Sequence, residues 1–269
     1  MIKFTESCHW YSADGKPQHD ADLRVARKQK LFPSVTTVDK IHPNDFLNQW
    51  KMGELATAAF LNPPQPHENC DDYSNRIHEY SLNKSKIAAE FGTELHDVIE
   101  HYPQMPMNQD MMGWFNEYGK WHEKNVQETI CSEITLVDND VGVAGRTDRI
   151  VLLKTGELAV VDYKTQNVKA DKKSGKKKPA FYDSHARQLA FYCVAYAKKA
   201  GIFPAIPRAI NLIMDSNEVS APYEKIWTHE EVKDAYQDFL LGTHMWMRKK
   251  KYWPVGEREI EFNLPLIGG

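Results

Sequence analysis

The segment GRTDRIVLLKTGELAVVDYKTQ, residues 145–166, constrains the fold most, because it reads as two apolar strands joined by a short turn. The turn, KTG at 154–156, contains a glycine that can supply a positive φ. Because side chains alternate along a strand, we expect Asp148 opposite Asp162, with their Cβ atoms roughly 5 Å apart. Lys164 then follows two residues further along the same face.

These charges in an apolar hairpin have two explanations, since buried charged groups are rare and costly unless they are paired. Two facing carboxylates raise one of their pKa values unless a cation lies between them, and Mg²⁺ or Mn²⁺ with oxygen ligands would relieve the repulsion. Alternatively the groups only stabilise the fold, with Asp162 paired to Lys164 and Asp148 paired to Arg146 or Arg149. The hairpin alone does not decide between them.

The rest of the chain predicts one α/β domain with a mixed sheet. The pattern indicates a loop at 61–75 and a meander of β-rich segments from CSEITLVD at 131–138 to the end of the hairpin. Further strands are predicted at 208–216 and 223–227. Helices are predicted at 44–60, 84–102, 110–125, 183–200 with Gly201 as the stop, and 228–247 from the capping-box pattern THEE.

Composition is that of an ordinary globular protein, with 42% hydrophobic and 26% charged residues in a chain of 269. The N-terminus lacks the apolar core of a secretory signal, and no apolar run reaches the ~20 residues of a membrane span. The four cysteines are widely spaced, as expected for free thiols in a reducing compartment. We therefore expect a cytoplasmic protein without a membrane segment, a disulfide framework or a zinc site.

Charge is unevenly distributed over a chain whose net charge is −3. The lysine loop, KADKKSGKKK at 169–178, contains six lysines and one aspartate, and a second basic run, RKKK, lies at 248–251. An anionic partner would therefore be bound at patches rather than over the whole surface. The alternative for the lysine loop is a solvated segment without a partner.

Four short motifs flank or form the hairpin, and each is weak alone. They are G-x-x-x-H at 92–96, G-R-T-D at 145–148, D-Y-K at 162–164 and Q-x-x-x-Y at 188–192. In this order and context they resemble the RecB-like branch of the PD-(D/E)xK nucleases. The segment LFPSVTT at 31–37 also resembles the N-terminal part of phage-encoded and mitochondrial genome-maintenance exonucleases of that branch. The resemblance covers roughly residues 31–200.

The resemblance implies a restriction-endonuclease-like fold, a mixed central sheet flanked by helices. It implies one nuclease domain over residues 1–269, with an N-terminal part at 1–80, a catalytic core at 81–200, and a strand and helix at 201–269 that complete the fold. The implied function is a metal-dependent DNA exonuclease used in recombination, repair or replication. A flap-cleaving endonuclease and a catalytically silent DNA-binding module on the same fold are the alternatives.

The resemblance also assigns roles to residues. His96, Asp148, Asp162 and the backbone carbonyl of Tyr163 would hold Mg²⁺ or Mn²⁺, and Lys164 would orient or activate the attacking water.

Other residues would support that site or contact DNA. Gln188 and Tyr192 would position the metal site and the DNA strand, Glu133 is a candidate supporting acid, and Ser34 and Thr36 are candidate DNA contacts. The lysines expected to contact phosphates are Lys172, Lys173, Lys176, Lys177 and Lys178.

The sequence departs from some relatives, which carry an iron–sulfur cluster on four cysteines. No cysteine follows Cys193, so we expect no such cluster, and no P-loop motif of a helicase is present. The expected partner is DNA, as single strands or duplex ends, with a single-strand-binding or annealing protein as a further candidate. We expect a monomer.

Overall fold

The computed structural model describes residues 9–171 and 173–256. The helices in this part of the chain are α1 (Leu23–Gln29), α2 (Val35–Asp39), α3 (Asp45–Leu61), α4 (Cys70–Glu100), α5 (Met112–Asn125), α6 (Asp183–Ala200) and α7 (His229–Lys250), with a 3-10 turn at Gln109–Met111. The strands are β1 (Trp10–Tyr11), β2 (Pro17–Gln18), β3 (Phe32–Pro33), β4 (Val126–Asp138), β5 (Val143–Leu153), β6 (Leu158–Gln166), β7 (Arg208–Asp215) and β8 (Tyr223–Trp227).

The central sheet has five strands in the order β4-β5-β6-β7-β8. Strands β6 and β7 are parallel, and the other neighbours are antiparallel. The parallel pair requires a crossover connection, which α6 supplies. The sheet is therefore mixed, as the sequence predicted.

Helices cover both faces of this sheet, because the central strands are apolar on both sides. Val151 and Val161 pack with α4 and α5 in one buried cluster. Ile150 and Val160, their neighbours along the strands, pack with α6 and α7 in the other. Strand alternation thus places one hairpin in two cores.

A small antiparallel sheet in the order β2-β1-β3 lies near the N-terminus, and the sequence analysis did not predict it. Ser34, directly after β3, forms an isolated parallel bridge with Ala144 of β5. The N-terminal segment is in this way attached to the strand that carries the G-R-T-D motif.

The helix boundaries follow their caps. The predictions for α3, capped by Asn44, and for α7, with a capping box at Thr228, are confirmed, and Gly201 ends α6 with a φ of +70°. The predicted loop at 61–75 was wrong in its second half, because α4 already starts at Cys70. The side chain of Asn69 caps this helix, and two aspartates in its first turn favour the positive end of the helix dipole.

None of the helices in the described ranges combines the length and apolar character required to cross a membrane.

Candidate metal centre

The β5–β6 hairpin has the predicted register. Arg149 pairs with Val161, so Asp148 and Asp162 follow next to one another where the ladder ends. The predicted three-residue turn is confirmed, with a φ of +85° at Gly156. Both carboxylates therefore lie where β5 and β6 stop pairing. At this point the side chain of Asp148, in place of a backbone carbonyl, can accept a hydrogen bond from β6.

Asp148 lies where α4 meets β6. Its Oδ2 accepts a hydrogen bond from the backbone N–H of Tyr163 at 2.6 Å, and its Oδ1 is 3.7 Å from Nδ1 of His96. The His96 ring packs edge-on against the Tyr163 ring, with centroids 6.0 Å apart. Among the described residues no ion pair joins Asp148 to Arg146 or Arg149, so that structural explanation of Asp148 was wrong.

Glu133 on β4 completes a group with these side chains. Its φ of +51° is unusual for a residue with a side chain and indicates local strain. Burial raises the pKa of Glu133 to about 7, with a further contribution from the nearby Asp148 carboxylate. Arg146 opposes this shift, and its Nε contacts the Glu133 carboxylate.

His96, Glu133 and Asp148 each offer one ligand atom, and these atoms lie within 4.8 Å of one another. The nearby Asp148 carboxylate adds to the effect of burial on the pKa of Glu133, and a cation between the two carboxylates would relieve their repulsion. Carboxylate oxygens suit Mg²⁺ and Mn²⁺. The group differs from the expected one, because Glu133 is a member while Asp162 lies outside it. The ligand roles of Asp162 and of the Tyr163 carbonyl stay predictions.

Asp162 is buried, with 1% of its surface exposed, and both of its oxygens are engaged. Nζ of Lys164 lies 2.8 Å from Oδ1, and Nδ2 of Asn211 donates to Oδ2 at 2.8 Å. Trp227 in turn donates to Oδ1 of Asn211 at 2.7 Å. The Asp162–Lys164 ion pair of the structural explanation is therefore present.

Electrostatics keep Lys164 charged. Burial alone would lower the pKa of Lys164, but the carboxylates of Asp162 and Asp148 outweigh burial and raise it. Burial raises the pKa of Asp162, and the Lys164 ammonium opposes this. A protonated lysine can donate hydrogen bonds but cannot accept a proton, so its chemistry here is that of a donor.

Two motif glycines permit close packing. A Cβ at Gly92 would lie 3.1 Å from Oγ1 of Thr165, so the absent side chain brings α4 against β6 and does not simply expose the helix face. A Cβ at Gly145 would lie 2.9 Å from atoms of both Tyr192 and Val35. Glycine is needed at this position because a tyrosine ring and a valine already fill the space.

Gln188 and Tyr192 contact one another on α6, as their spacing predicts. Nε2 of Gln188 donates to the Tyr192 hydroxyl at 3.2 Å. Tyr192 is 2% exposed, and burial raises its pKa well above the usual value. Its ring packs against the G-R-T-D segment, whereas Gln188 lines a cleft. Contact of either side chain with DNA stays a prediction, which the burial of Tyr192 does not favour.

A cleft of about 940 Å³ lies beside Lys164, between α2 with the start of α3 and the start of α6. Thr36, Tyr182, His185 and Gln188 are among its lining residues. Burial lowers the pKa of His185 to about 4, and the Lys164 ammonium lowers it further, so the imidazole is neutral at pH 7.

An ion pair connects the two walls of this cleft. Nε of Arg187 on α6 lies 2.5 Å from Oδ1 of Asp39 on α2, and a second nitrogen lies 3.3 Å from Oδ2. Such a two-point contact fixes the distance and the angle between the helices. The cleft is therefore a property of the fold and does not depend on a bound ligand.

Ser34 and Thr36 are located differently. Ser34 is 5% exposed, and its hydroxyl caps α2 by accepting from the N–H of Thr37 at 3.1 Å. Thr36 is exposed and lines the cleft. Both DNA contacts stay predictions, and the geometry favours Thr36.

The lysine loop folds back on itself. Ala170 and Lys177 form a bridge, and Oδ1 of Asp171 accepts the N–H of Ser174 at 2.7 Å. The described part of the loop is therefore ordered by contacts within itself. It is not simply a solvated segment.

Lys177 differs from its neighbours because it is engaged with acids. Its Nζ lies 2.5 Å from Oδ2 of Asp215 and 2.8 Å from Glu218, and these contacts raise its pKa. A phosphate would have to displace them. Lys173, Lys176 and Lys178 are exposed, and Lys172 lies outside the described residues.

The described cysteines differ in burial, with Cys70 exposed, Cys131 partly buried and Cys193 buried. Cys8 lies outside the described residues. The absence of an iron–sulfur cluster stays a prediction.

Residues 106–238 match the family described as "PD-(D/E)XK nuclease superfamily". The match spans just under half of the chain and supports the presence of a domain of this superfamily. The matched span includes Glu133, Asp148, Asp162 and Lys164, whereas His96 precedes it. The restriction-endonuclease-like fold class is thereby confirmed at the level of the superfamily. The assignment to its RecB-like branch stays a prediction.

Comparison with solved structures found a protein titled "Crystal structure of SSO0001", which is 15% identical to this chain with a TM-score of 0.30. The similarity covers 77% of this chain and 87% of that one. No curated protein matches the chain.

Sequence reasoning missed the roles of Asn211 and Arg149. Asn211 is fully buried in β7, where its side chain holds Asp162. A single amide inside the apolar run RAINLIMD was the available signal, because a buried amide requires partners. Arg149 was considered only as an ion-pair partner for Asp148, yet it contacts other groups.

Proposed function

We propose that this protein is a metal-dependent deoxyribonuclease that hydrolyses phosphodiester bonds, with His96, Glu133 and Asp148 as the side chains that hold the cation. The superfamily match supports a nuclease. The observation that carries the proposal is the convergence of the three ligand atoms within 4.8 Å. The neighbouring cleft lined by Lys164 offers room for a phosphate chain.

A bound divalent cation supplies charge neutralisation at the phosphate and makes a water molecule more acidic. The protein supplies the remaining parts. Lys164 is held by Asp162 and stays protonated, so its free hydrogens can donate to the charge that develops on the phosphate. Asp162 and Asn211 fix the direction of this donor. The lysine therefore acts by orientation and charge rather than as a base.

A single strand suits the cleft better than a duplex. Its volume of about 940 Å³ is that of a pocket for a small ligand rather than a channel for a double helix. Tyr182 and His185, whose rings meet edge-on at 5.2 Å, offer aromatic faces for bases. This favours cleavage at single-stranded ends, hence an exonuclease, with a flap-cleaving endonuclease as the second candidate.

We further propose that residues 1–269 form one nuclease domain with the parts 1–80, 81–200 and 201–269 given above. Packing of α2 and α7 against α6 supports this, because the N-terminal and C-terminal parts then share one core. A cytoplasmic monomer that acts with a single-strand-binding or annealing protein in recombination, repair or replication completes the proposal.

Digestion of end-labelled DNA tests the function. Linear and circular single strands and duplexes are incubated in Mg²⁺, Mn²⁺ or EDTA. We expect linear single strands to be degraded with either metal, no cleavage in EDTA, and protection of circles. Asp148→Asn should remove activity, while Asp20→Asn, which changes an exposed carboxylate in a turn, should keep it. Cleavage that persists in EDTA would refute the metal-dependent mechanism, and cutting of circles would favour the endonuclease.

A further inference from the structure

Arg149 is a buried charged side chain near the candidate metal centre, with 1% of its surface exposed. Its guanidinium makes four hydrogen bonds. Nε donates to Oγ of Ser132 at 3.0 Å, and Nη1 donates to the Tyr118 hydroxyl at 2.8 Å. Nη2 donates to the carbonyls of Ile99 and Glu100, both at 2.9 Å.

No carboxylate in the described part of the chain forms an ion pair with this guanidinium. A buried charge without compensation is costly, so a site that retains one requires a reason. Here the charge is balanced by the last carbonyls of α4, at the negative end of a helix of 31 residues. The Tyr118 ring adds a cation–π contact at 5.7 Å.

Apart from Tyr118, the partners of this guanidinium lie close in sequence to the three candidate metal ligands. Ser132 precedes Glu133 on β4, and the arginine itself follows Asp148 on β5. Ile99 lies about one turn after His96 on α4. One rigid, planar group therefore connects the three elements that carry the three candidate ligands.

A pair of tyrosines also connects Arg149 to the candidate metal ligands. The Tyr118 hydroxyl, which accepts from Arg149, lies 2.9 Å from the Tyr163 hydroxyl. Tyr163 packs its ring against His96 and donates its backbone N–H to Asp148.

We propose that Arg149 is the positioning residue of the metal centre and sets its affinity for divalent cations. It holds α4, β4 and β5 at the separation at which His96, Glu133 and Asp148 meet. This inference rests on the proposed function, because it assumes that the group binds a metal. Loss of residues that orient metal ligands typically weakens metal binding by about 10–100-fold.

Titration of Mn²⁺ into the metal-free protein, followed by calorimetry, tests this role. Arg149→Met should weaken binding by about 10–100-fold, and Arg149→Lys should restore it only in part, because an ammonium cannot make four fixed contacts. Val151→Ala is the matched control, since Val151 is fully buried on the same strand and has no role in these hydrogen bonds. It should lower the melting temperature and leave the Mn²⁺ affinity unchanged.

Tyr118→Phe keeps the test decisive if Arg149→Met does not fold. It removes one hydroxyl from the network, and we expect a severalfold loss of Mn²⁺ affinity with a smaller loss of melting temperature than in Arg149→Met. The inference is overturned if folded Arg149→Met binds Mn²⁺ with wild-type affinity or, where that variant does not fold, if Tyr118→Phe does. An equal loss of Mn²⁺ affinity in Val151→Ala also overturns it. If the wild-type protein itself does not bind Mn²⁺, the proposed function fails first.

Discussion

Replacing Glu133 by glutamine should stabilise the metal-free protein at alkaline pH. The carboxyl has a pKa of about 7 in the folded chain against an ordinary value of 4.5. Folding therefore takes up a proton between these pH values, so stability is highest below pH 4.5 and falls as the pH rises to 7. At ~1.4 kcal/mol per pH unit, the charged glutamate costs about 3 kcal/mol above pH 7. Glutamine removes this cost.

Urea unfolding in EDTA between pH 4 and pH 8 measures the effect. We expect Glu133→Gln to match the wild type near pH 4 and to exceed it by up to about 3 kcal/mol at pH 8, since the pKa of about 7 already includes the opposing effect of Arg146. Glu128→Gln, an exposed change on the same strand, is the control and should change the stability by no more than about 0.5 kcal/mol. Parallel curves for wild type and Glu133→Gln would refute the claim that the folded chain raises the pKa of Glu133.

Four further substitutions test other parts of the structure. Lys164→Met should abolish cleavage and leave the affinity for DNA nearly unchanged, as measured by anisotropy; retention of substantial turnover would exclude the donor role. Gly145→Ala should destabilise the protein by about 1–3 kcal/mol in urea unfolding, because its Cβ would lie 2.9 Å from a packed tyrosine; an unchanged midpoint would contradict this packing. Lys178→Ser should lower by ~0.7 the slope of log affinity against log salt concentration for single-stranded DNA. Lys177→Ser should instead destabilise the fold by about 1–3 kcal/mol, because it leaves buried Asp215 without its cation. A slope for Lys178→Ser equal to that of the wild type would exclude the predicted phosphate contact of Lys178.

The hairpin could be predicted in detail because its determinants are local. A glycine turn fixes the register, and strand alternation then fixes which side chains face one another. Asp148 and Asp162 were predicted as neighbours for this reason. The capping box of α7 and the glycine stop of α6 likewise depend on a few adjacent residues, which explains why the start of α7 and the end of α6 could be predicted. The end of α7 lies three residues beyond the predicted limit.

Membership of the metal group could not be predicted in the same way. Glu133 joins His96 and Asp148 because β4 passes beside β5 with an unusual backbone angle, and one sequence does not show this angle. The contacts of Arg149 likewise depend on where α4 ends in space, whereas the pattern indicated only that a helix was present. How distant segments lie relative to one another depends on tertiary structure. The sequence could therefore suggest Glu133 as a supporting acid but could not place it beside His96 and Asp148.

Anomalous diffraction from Mn²⁺-soaked crystals would locate the metal ion itself. We expect an anomalous peak within coordination distance of His96, Glu133 and Asp148, and its absence in crystals of Asp148→Asn. The same map would show whether an oxygen of Asp162 or the Tyr163 carbonyl joins the ligands. A protein that cleaves DNA in Mn²⁺ while its peak lies elsewhere would contradict the metal centre described above.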